Sequence, residues 1–312
     1  MKNQKRILVT GGNGLVGSAI SQVSSKYPDV EFIFTNRNEC DLTNELQVKN
    51  LYEKINPSHV IHTAAFVGGI GRNLANPAGQ YYKNILMNSF VTHYAYSYGI
   101  NRLVSFSSIC AFPENINIMS EEKLHDGAPH PSYFSYAYSK RLVDVQNQAY
   151  NKEYKTKYIT LIPGNIYGKR DNFNLEYGHV IPSLIHKCYL AKLNQSYFNI
   201  WGDGSVYREF IYSEDIAKIA IELVLNEQET PTCIIASGQE ELRIKDVVYN
   251  ICDAFDYHKI NWEIEKPMGQ FKRSTNTKLL NTIFPDFTFK SFDDGIKETV
   301  NWFFENYPNI RT

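Results

Sequence analysis

The stretch Ile7-Leu8-Val9-Thr10-Gly11-Gly12-Asn13-Gly14-Leu15-Val16-Gly17 restricts the fold of this chain more than any other. A short apolar run closes on glycines, and from Leu15 to Val23 the pattern turns helical, which reads as strand, tight turn and helix. Gly11, Gly14 and Gly17 are spaced three and three. Glycine lets a backbone come close to a pyrophosphate, and the N-terminus of the following helix favours its charge. We therefore expect Gly11, Gly14, Leu15, Val16 and Gly17 to hold a dinucleotide.

The next strand signal, Glu31-Phe32-Ile33-Phe34-Thr35, ends in Asn36-Arg37. An acidic residue at such a tip grips a ribose 2'-hydroxyl, whereas an arginine accepts a 2'-phosphate. Arg37 points to NADP, although Glu39 stands close by. Asp41 and Leu42 are placed to meet the adenine edge or, for Asp41, to cap the segment that follows.

Strand and helix signals keep alternating. Residues 45–55 read as a helix, 59–65 as a buried strand, 85–98 as a helix, 103–107 as a strand, 136–154 as a helix and 158–162 as a strand. The expected fold is α/β, a Rossmann-type doubly wound parallel sheet with a smaller α+β lobe. Residues 1–165 form the nucleotide-binding domain, with return elements near 205–240 that include a strand at 232–236. Residues 166–204 and 241–312, with a helix at 180–193, form the lobe.

Charge and cysteine content narrow the function class. Thirty-two lysines and arginines oppose 33 aspartates and glutamates, for a net charge of −1, and no basic run argues for nucleic acid or an anionic membrane as partner. The five cysteines are scattered, without CxxC or metal-ligand spacing, so no metal is expected and a reduced cytosol fits. The amino-terminal residues lead into a strand pattern rather than a signal-peptide block, and no apolar stretch approaches spanning length. A cytoplasmic location is expected.

In Tyr133-Phe134-Ser135-Tyr136-Ala137-Tyr138-Ser139-Lys140, Tyr136 and Lys140 lie four apart on one helical face. An ammonium beside a phenol favours the phenolate, so Lys140 is expected to lower the Tyr136 pKa. Ser107 and Ser108 end the 103–107 strand, where open parallel sheets bind ligands. One of them, with Tyr136, would clamp a carbonyl oxygen while hydride reaches the carbon. Such a pair is common by chance among 22 tyrosines. Joined to the glycine turn, it resembles the extended short-chain dehydrogenase/reductase superfamily.

Within that superfamily the chain is similar to the GDP-L-fucose synthase family over nearly its whole length. The similar stretches are 65–70, 107–113, 136–148, 171–174 with 178–182, 201–202 with 208–212, and Gly269-Gln270-Phe271-Lys272. The family pattern of serine, any residue, cysteine, any residue, aromatic, proline falls on Ser108-Ile109-Cys110-Ala111-Phe112-Pro113, which selects Ser108. The resemblance implies that Ser108, Tyr136 and Lys140 carry ketone reduction with NADPH, and that Cys110 as base and His179 as acid carry epimerisation at C3 and C5. The implied substrate is GDP-4-keto-6-deoxy-mannose or a related GDP-sugar. A C4 ketone acidifies the hydrogens at both carbons, so one base and one acid on opposing walls suffice.

Further expected cofactor contacts are Ala64, Ala65, Tyr136, Lys140, Pro163, Asn165, Ile166 and His179. Expected substrate contacts are Ser107, Ser108, Asn165, Lys187, Trp201, Arg208 and Lys272. Two positions depart from the family pattern: Pro163-Gly164-Asn165 replaces Pro-Thr-Asn, and Gly168-Lys169-Arg170 replaces Gly-Pro-His. The remaining histidines, His59, His62, His93, His125, His130, His186 and His258, are expected in the core or on the surface. A paired helix face at 85–98 and 136–150 resembles the superfamily's dimer seam, so a homodimer is expected. A 4,6-dehydratase would need acidic groups where Ile109-Cys110 stands. A C4-reductase of another GDP-4-keto-6-deoxy sugar or heptose, and a non-catalytic NADP-binding regulatory protein, remain the alternatives.

Overall fold

Alternate residues of the first strand face two different cores. In the computed structural model, which describes residues 4–238, 240–266 and 272–312, β1 (Lys5–Thr10) turns Ile7 and Val9 into one apolar cluster and Leu8 into another. Both faces are covered, so the strand reads as a continuous apolar run rather than an alternating one. Beside it lie β2 (Val30–Thr35), β3 (His59–His62), β4 (Arg102–Phe106), β5 (Lys157–Pro163) and β6 (Cys233–Ala236). They form one sheet in the order β6-β5-β4-β3-β1-β2, paired in parallel throughout. This is the expected fold class.

The helices in chain order are α1 (Leu15–Val23), α2 (Glu45–Ile55), α3 (Pro77–Ser97), α4 (Phe134–Tyr154), α5 (Val180–Leu193), α6 (Ser213–Leu225), α7 (Ile244–Phe255) and α8 (Phe292–Asn306), besides two of six residues, Ile70–Ala75 and Lys278–Ile283. Ala19, Ile20 and Val23 of α1 pack with Ile216, Ala217 and Ile219 of α6 against Ile7, Ile61 and Val104. On the other face, Val48 and Tyr52 of α2 and Val91 and Ala95 of α3 cover Leu8, Val60 and Leu103. Each fully buried aliphatic side chain contributes about 1.5–3 kcal/mol. The strand order reverses between β1 and β3, which opens a ligand crevice beyond their carboxyl ends.

β3 stops three residues before its expected end because the chain is taken over there by β1. Thr63 Oγ1 donates to the Thr10 carbonyl at 2.7 Å. α3 starts eight residues before its expected start, capped by the Asn76 side chain on Gly79 N–H at 3.2 Å. Its first turns carry a buried polar stripe, Gln80, Asn84 and Asn88, four residues apart. Asn84 Oδ1 accepts from Phe66 N at 2.9 Å and Nδ2 donates to Phe66 O at 3.0 Å, which pins the loop after β3 over the crevice.

A further cluster joins α5, α7 and α8 around Phe173, Phe198, Phe210, Phe255 and Phe303. Three small sheets tie it to the main body. Strand Tyr207–Tyr212 pairs with Asn165–Tyr167 and with Glu241–Arg243, Phe198–Trp201 with Ile260–Glu263, and Ser274–Thr275 with Ile118–Met119. Leu279, Leu280 and Ile283, with Phe284, Phe287 and Phe289 after them, pack back against the sheet core. Among the described residues no helix is long and apolar enough to cross a membrane.

The glycine turn explains its own composition. Gly11 has φ +76°, and a Cβ there would stand 2.8 Å from Ala64 N. A Cβ on Gly17 would stand 2.3 Å from Gly11 O and 2.7 Å from Gly12 Cα, whereas one on Gly14 would meet only Gly11 O at 3.2 Å. Gly17→Ala is therefore expected to lower the unfolding free energy by about 1–3 kcal/mol in urea titrations. Gly14→Ala, at φ −78° and with that single contact, should cost less.

Candidate active site

The glycine turn delivers the amino end of α1 to the crevice. Gly14 is its N-cap, no side chain occupies that cap, and the first turn holds no acidic residue. Leu15, Val16 and Gly17 follow with the unpaired amides of a helix N-terminus. The cradle thus fits a pyrophosphate. Ala64, half-buried, backs Gly11, and Ala65 follows it. At the β2 tip, Glu39 Oε2 accepts from Asn36 N at 2.9 Å and from Asn36 Nδ2 at 2.8 Å, so this carboxylate is tied into its own turn. Arg37 is exposed beside it. Asp41 Oδ1 accepts from Thr43 N at 3.0 Å and Thr43 Oγ1 at 2.7 Å, and these bonds, ahead of the Arg37 charge, hold its carboxyl below the usual range. It closes the turn before α2, whose N-cap is Asn44. The Leu42 side chain is buried in the α2/α3 core.

Beyond β4 the two serines part. Ser107 is buried and its Oγ donates to the Lys140 carbonyl at 2.8 Å. Ser108 caps the turn Ile109–Ala111, accepting from Cys110 N at 3.2 Å, and its hydroxyl bonds the Tyr136 phenol. The register that selects Ser108 is thus the one that meets the tyrosine. Tyr136 and Lys140 share the inner face of α4. Lys140 Nζ donates to Phe106 O at 2.7 Å, and burial pushes the ammonium down to about 8.

The expected depression of the Tyr136 pKa is not found. Burial raises the phenol well above its ordinary value, Cys110 raises it further, and the Ser108 hydrogen bond opposes them. The reason is burial: the phenol is cut off from solvent, which outweighs any help to its charged form, while the Lys140 ammonium binds the Phe106 carbonyl. The charge of Lys140, after burial, also acts on His62, held down at about 3. His62 is a core histidine, bonded to Thr10 Oγ1 at 2.7 Å and Asn88 Oδ1 at 3.1 Å. His186 likewise bonds Phe173 O at 2.8 Å inside the lobe. His59, half-buried at the start of β3, bonds Ser58 at 2.8 Å, His93 bonds Tyr150 at 2.8 Å, and the partly exposed His125 pairs with Asp144 at 2.9 Å. His258 meets Asp253 at 3.5 Å on the surface.

Cys110 is half-buried and its neighbours are Ser108, Tyr133, Tyr136 and Arg273. Burial raises its thiol pKa, and the Ser108 bond and the Arg273 charge lower it. His179 is exposed and forms the N-cap of α5. Its electrostatic neighbour is the buried Asp171, whose carboxyl is pushed up by burial and drawn back by His179. Gly69 N donates to Tyr177 O at 2.8 Å, so the loop pinned by α3 also holds the loop that leads to His179.

Among the remaining expected contacts, Pro163 ends β5, Asn165 Nδ2 donates to Glu209 O at 2.8 Å, and Ile166 packs on the sheet core. Trp201 is 58% exposed, with Lys187 Nζ 5.5 Å and Lys266 Nζ 5.8 Å from its ring centroid, a face suited to a planar group. Lys272 pairs with Glu241. The neighbouring stretch Gly269-Gln270-Phe271 lies outside the described residues. Arg208, half-buried, feels the charges of Tyr133 and Arg273.

Both departures from the family pattern have structural reasons. A Cβ at Gly164 would fall 2.2 Å from Ser237 Oγ, so Ser237 excludes a threonine there. Lys169 is bound to Glu214 of α6 at 3.2 Å and Glu298 of α8 at 3.1 Å and ties those two helices together.

Sequence reasoning missed Arg273, Glu209 and Asp171. Glu209 is buried, takes Ser237 Oγ at 2.9 Å and Thr275 N at 3.0 Å, and also holds Thr275 Oγ1. The acidic residue within Arg208-Glu209-Phe210, on a strand otherwise bound for the core, was the available signal. Glu209→Gln puts an amide against these donors. It should cost about 1–3 kcal/mol in denaturant unfolding.

The model of the NAD dependent epimerase/dehydratase family matches residues 7–236. The chain is 39% identical over 315 residues to the GDP-L-fucose synthase of Dictyostelium discoideum, covering 99% of this chain and 98% of that one. It is 35% identical over 319 residues to the probable GDP-L-fucose synthase of Drosophila melanogaster, covering 98% and 99%. The crystal structure of a GDP-L-fucose synthetase from Naegleria fowleri bound to NADP matches with a TM-score of 0.93 at 34% identity, covering 100% of this chain and 96% of that one.

Proposed function

Since this chain belongs to the NAD dependent epimerase/dehydratase family, and within it to the GDP-L-fucose synthases, we propose that it converts GDP-4-keto-6-deoxy-D-mannose to GDP-L-fucose with NADPH. The observation that carries the reading is the convergence of Ser108, Cys110 and Tyr136 on one spot beside the crevice. A dinucleotide regulator has no use for it. NADPH bound along the glycine turn supplies the hydride for the C4 ketone. Arg37, with Glu39 withdrawn into its turn, favours the 2'-phosphate.

In this reading the protein's own groups do the rest. Ser108 and Tyr136 donate to the C4 oxygen, which stabilises first an enolate and later the alkoxide. Cys110 withdraws a proton from C3 or C5, the electron pair moves to that oxygen, and His179 returns a proton from the opposite face. When the ketone is reduced, Tyr136 gives its proton to the C4 oxygen. A phenol with a raised pKa holds that proton securely at neutral pH, and Lys140, at about 8, can restore it. Arg208 suits the diphosphate and the exposed Trp201 ring, with Lys187 and Lys266 near it, the guanine.

The assembly and location are proposed on separate grounds. Phe134, Tyr138, Leu142 and Val145 are exposed apolar residues on α4, and Tyr81 and Tyr82 on α3, which packs beside it. Covering that face with a second copy makes a homodimer, which light scattering would test. All five cysteines are free, which suits the reducing cytoplasm.

Incubation of the substrate in deuterated water without NADPH should place deuterium at C3 and C5, with reduction following once NADPH is added. Cys110→Ser should suppress the exchange while leaving NADPH binding intact. Tyr136→Phe should cut reduction by about 10²–10⁴-fold. Reduction with no prior exchange would instead make the protein a C4-reductase of another GDP-4-keto sugar.

A further inference from the structure

A thiol that serves as a base must lose its proton first, and burial at Cys110 works against that. Cys110 lies on the turn Ile109–Ala111 and is surrounded from several elements. Ser108 precedes it, and Tyr136 faces it from α4. Tyr133 faces it from the turn Pro131–Tyr133, with His130 stacked on Tyr133 at 5.2 Å and Glu114 3.4 Å from that histidine. Beneath the turn Arg141 spends its guanidinium on main-chain carbonyls, with Nε on Ala111 O at 2.9 Å and Nη1 on Gly127 O at 2.7 Å.

One cation acts on the thiol through its charge from the far end of the chain. Arg273 Nη2 donates to Pro113 O at 2.8 Å and Nη1 to Tyr133 Oη at 3.4 Å, while its buried Nε meets no partner among the described residues. Its place is fixed by backbone rather than by side-chain reach. Ser274 and Thr275 pair in parallel with Ile118 and Met119, Ser274 N donates to Asn117 O at 3.0 Å, and Asn276 N donates to Met119 O at 2.7 Å. Glu209 holds Thr275 from the other side. The guanidinium is thus stitched to the same 108–119 segment that carries the cysteine. Arg208, whose charge it also feels, keeps the region cationic.

We propose that Arg273 is a positioning residue for epimerisation: held on Pro113 and Tyr133, it stabilises the Cys110 thiolate that removes the C3 and C5 protons. The thiol gives its proton to solvent, the thiolate takes one from substrate carbon while the electron pair moves to the C4 oxygen, and the regenerated thiol releases it. Tyr133 is part of the device, since it aims the guanidinium. Arginine is suited to the place because it stays charged when its surroundings dry out.

This inference rests on Cys110 being the base, and the two can be tested apart. The alkylation rate of Cys110 by iodoacetamide, followed by mass spectrometry of its peptide against pH, reports the thiolate in the substrate-free protein, with Cys110→Ser as blank. Removing a cation disfavours the thiolate, so Arg273→Gln should move the midpoint upward by about one pH unit and slow alkylation about tenfold below it. The rising limb of C3/C5 exchange should move with it. Arg273→Lys should recover part of the shift, and Arg273→Met, which keeps the apolar stem, serves as a second neutral variant should the glutamine one fail to fold. A midpoint unmoved in the neutral variants, or moved equally in Arg273→Lys, overturns the proposal. If the midpoint shifts as expected but Cys110→Ser still exchanges, the base assignment fails and the coupling stands.

Discussion

A reciprocal clamp between β4 and α4 organises the site. Ser107 Oγ donates to the Lys140 carbonyl, and Lys140 Nζ donates to the Phe106 carbonyl, so strand end and helix hold each other through adjacent residues. Both bonds are buried, where a lost partner costs about 1–3 kcal/mol for the group left behind. Because the clamp fixes residues 106 and 107, the chain must turn at Ser108. Because it fixes residue 140, the phenol one turn earlier is aimed at that turn. Neither partner of the clamp touches the C4 oxygen in the proposed mechanism, yet the two groups proposed to do so are set by it.

The clamp also explains why the expected chemistry of the tyrosine–lysine pair changes in detail. Spacing on a helix says which residues share a face, and Tyr136 and Lys140 do. Spacing does not say where an ammonium on a flexible stem will bind. Here the nearest main-chain carbonyl takes it, and burial then governs both acidities, raising the phenol and lowering the ammonium. Burial thus drives the two pKa values apart, so the ammonium is the stronger acid and can reprotonate a phenolate left by the reaction, which suits proton relay rather than a standing phenolate.

What could be read from the chain follows the range of the forces involved. The turn at Gly11–Gly17, the helix at Glu45–Ile55 and that at Val180–Leu193 are written in local glycine spacing and apolar periodicity, and they stand where expected. The start of α3 was hidden because Asn84 is buried for hydrogen bonding to the loop at Phe66 and Gln80 for bonding to Asn73, so its apolar period fails there. Arg273 and Glu209 were invisible for a further reason. Their partners are main-chain groups and hydroxyls brought together by a two-residue strand pair whose members lie 156 positions apart, Ser274 with Ile118. No local pattern encodes such a meeting.

The pairing of residues 118–119 with 274–275 has a consequence for how the molecule comes into being. The glycine turn and all six strands of the main sheet lie before residue 237, and can assemble as soon as they leave the ribosome. At about 5–20 residues per second, the segment bearing Arg273 emerges on the order of ten seconds after the cysteine it serves. A nascent chain thus gains most of its nucleotide fold before its full acid–base machinery, and the stitch beside the thiol closes late.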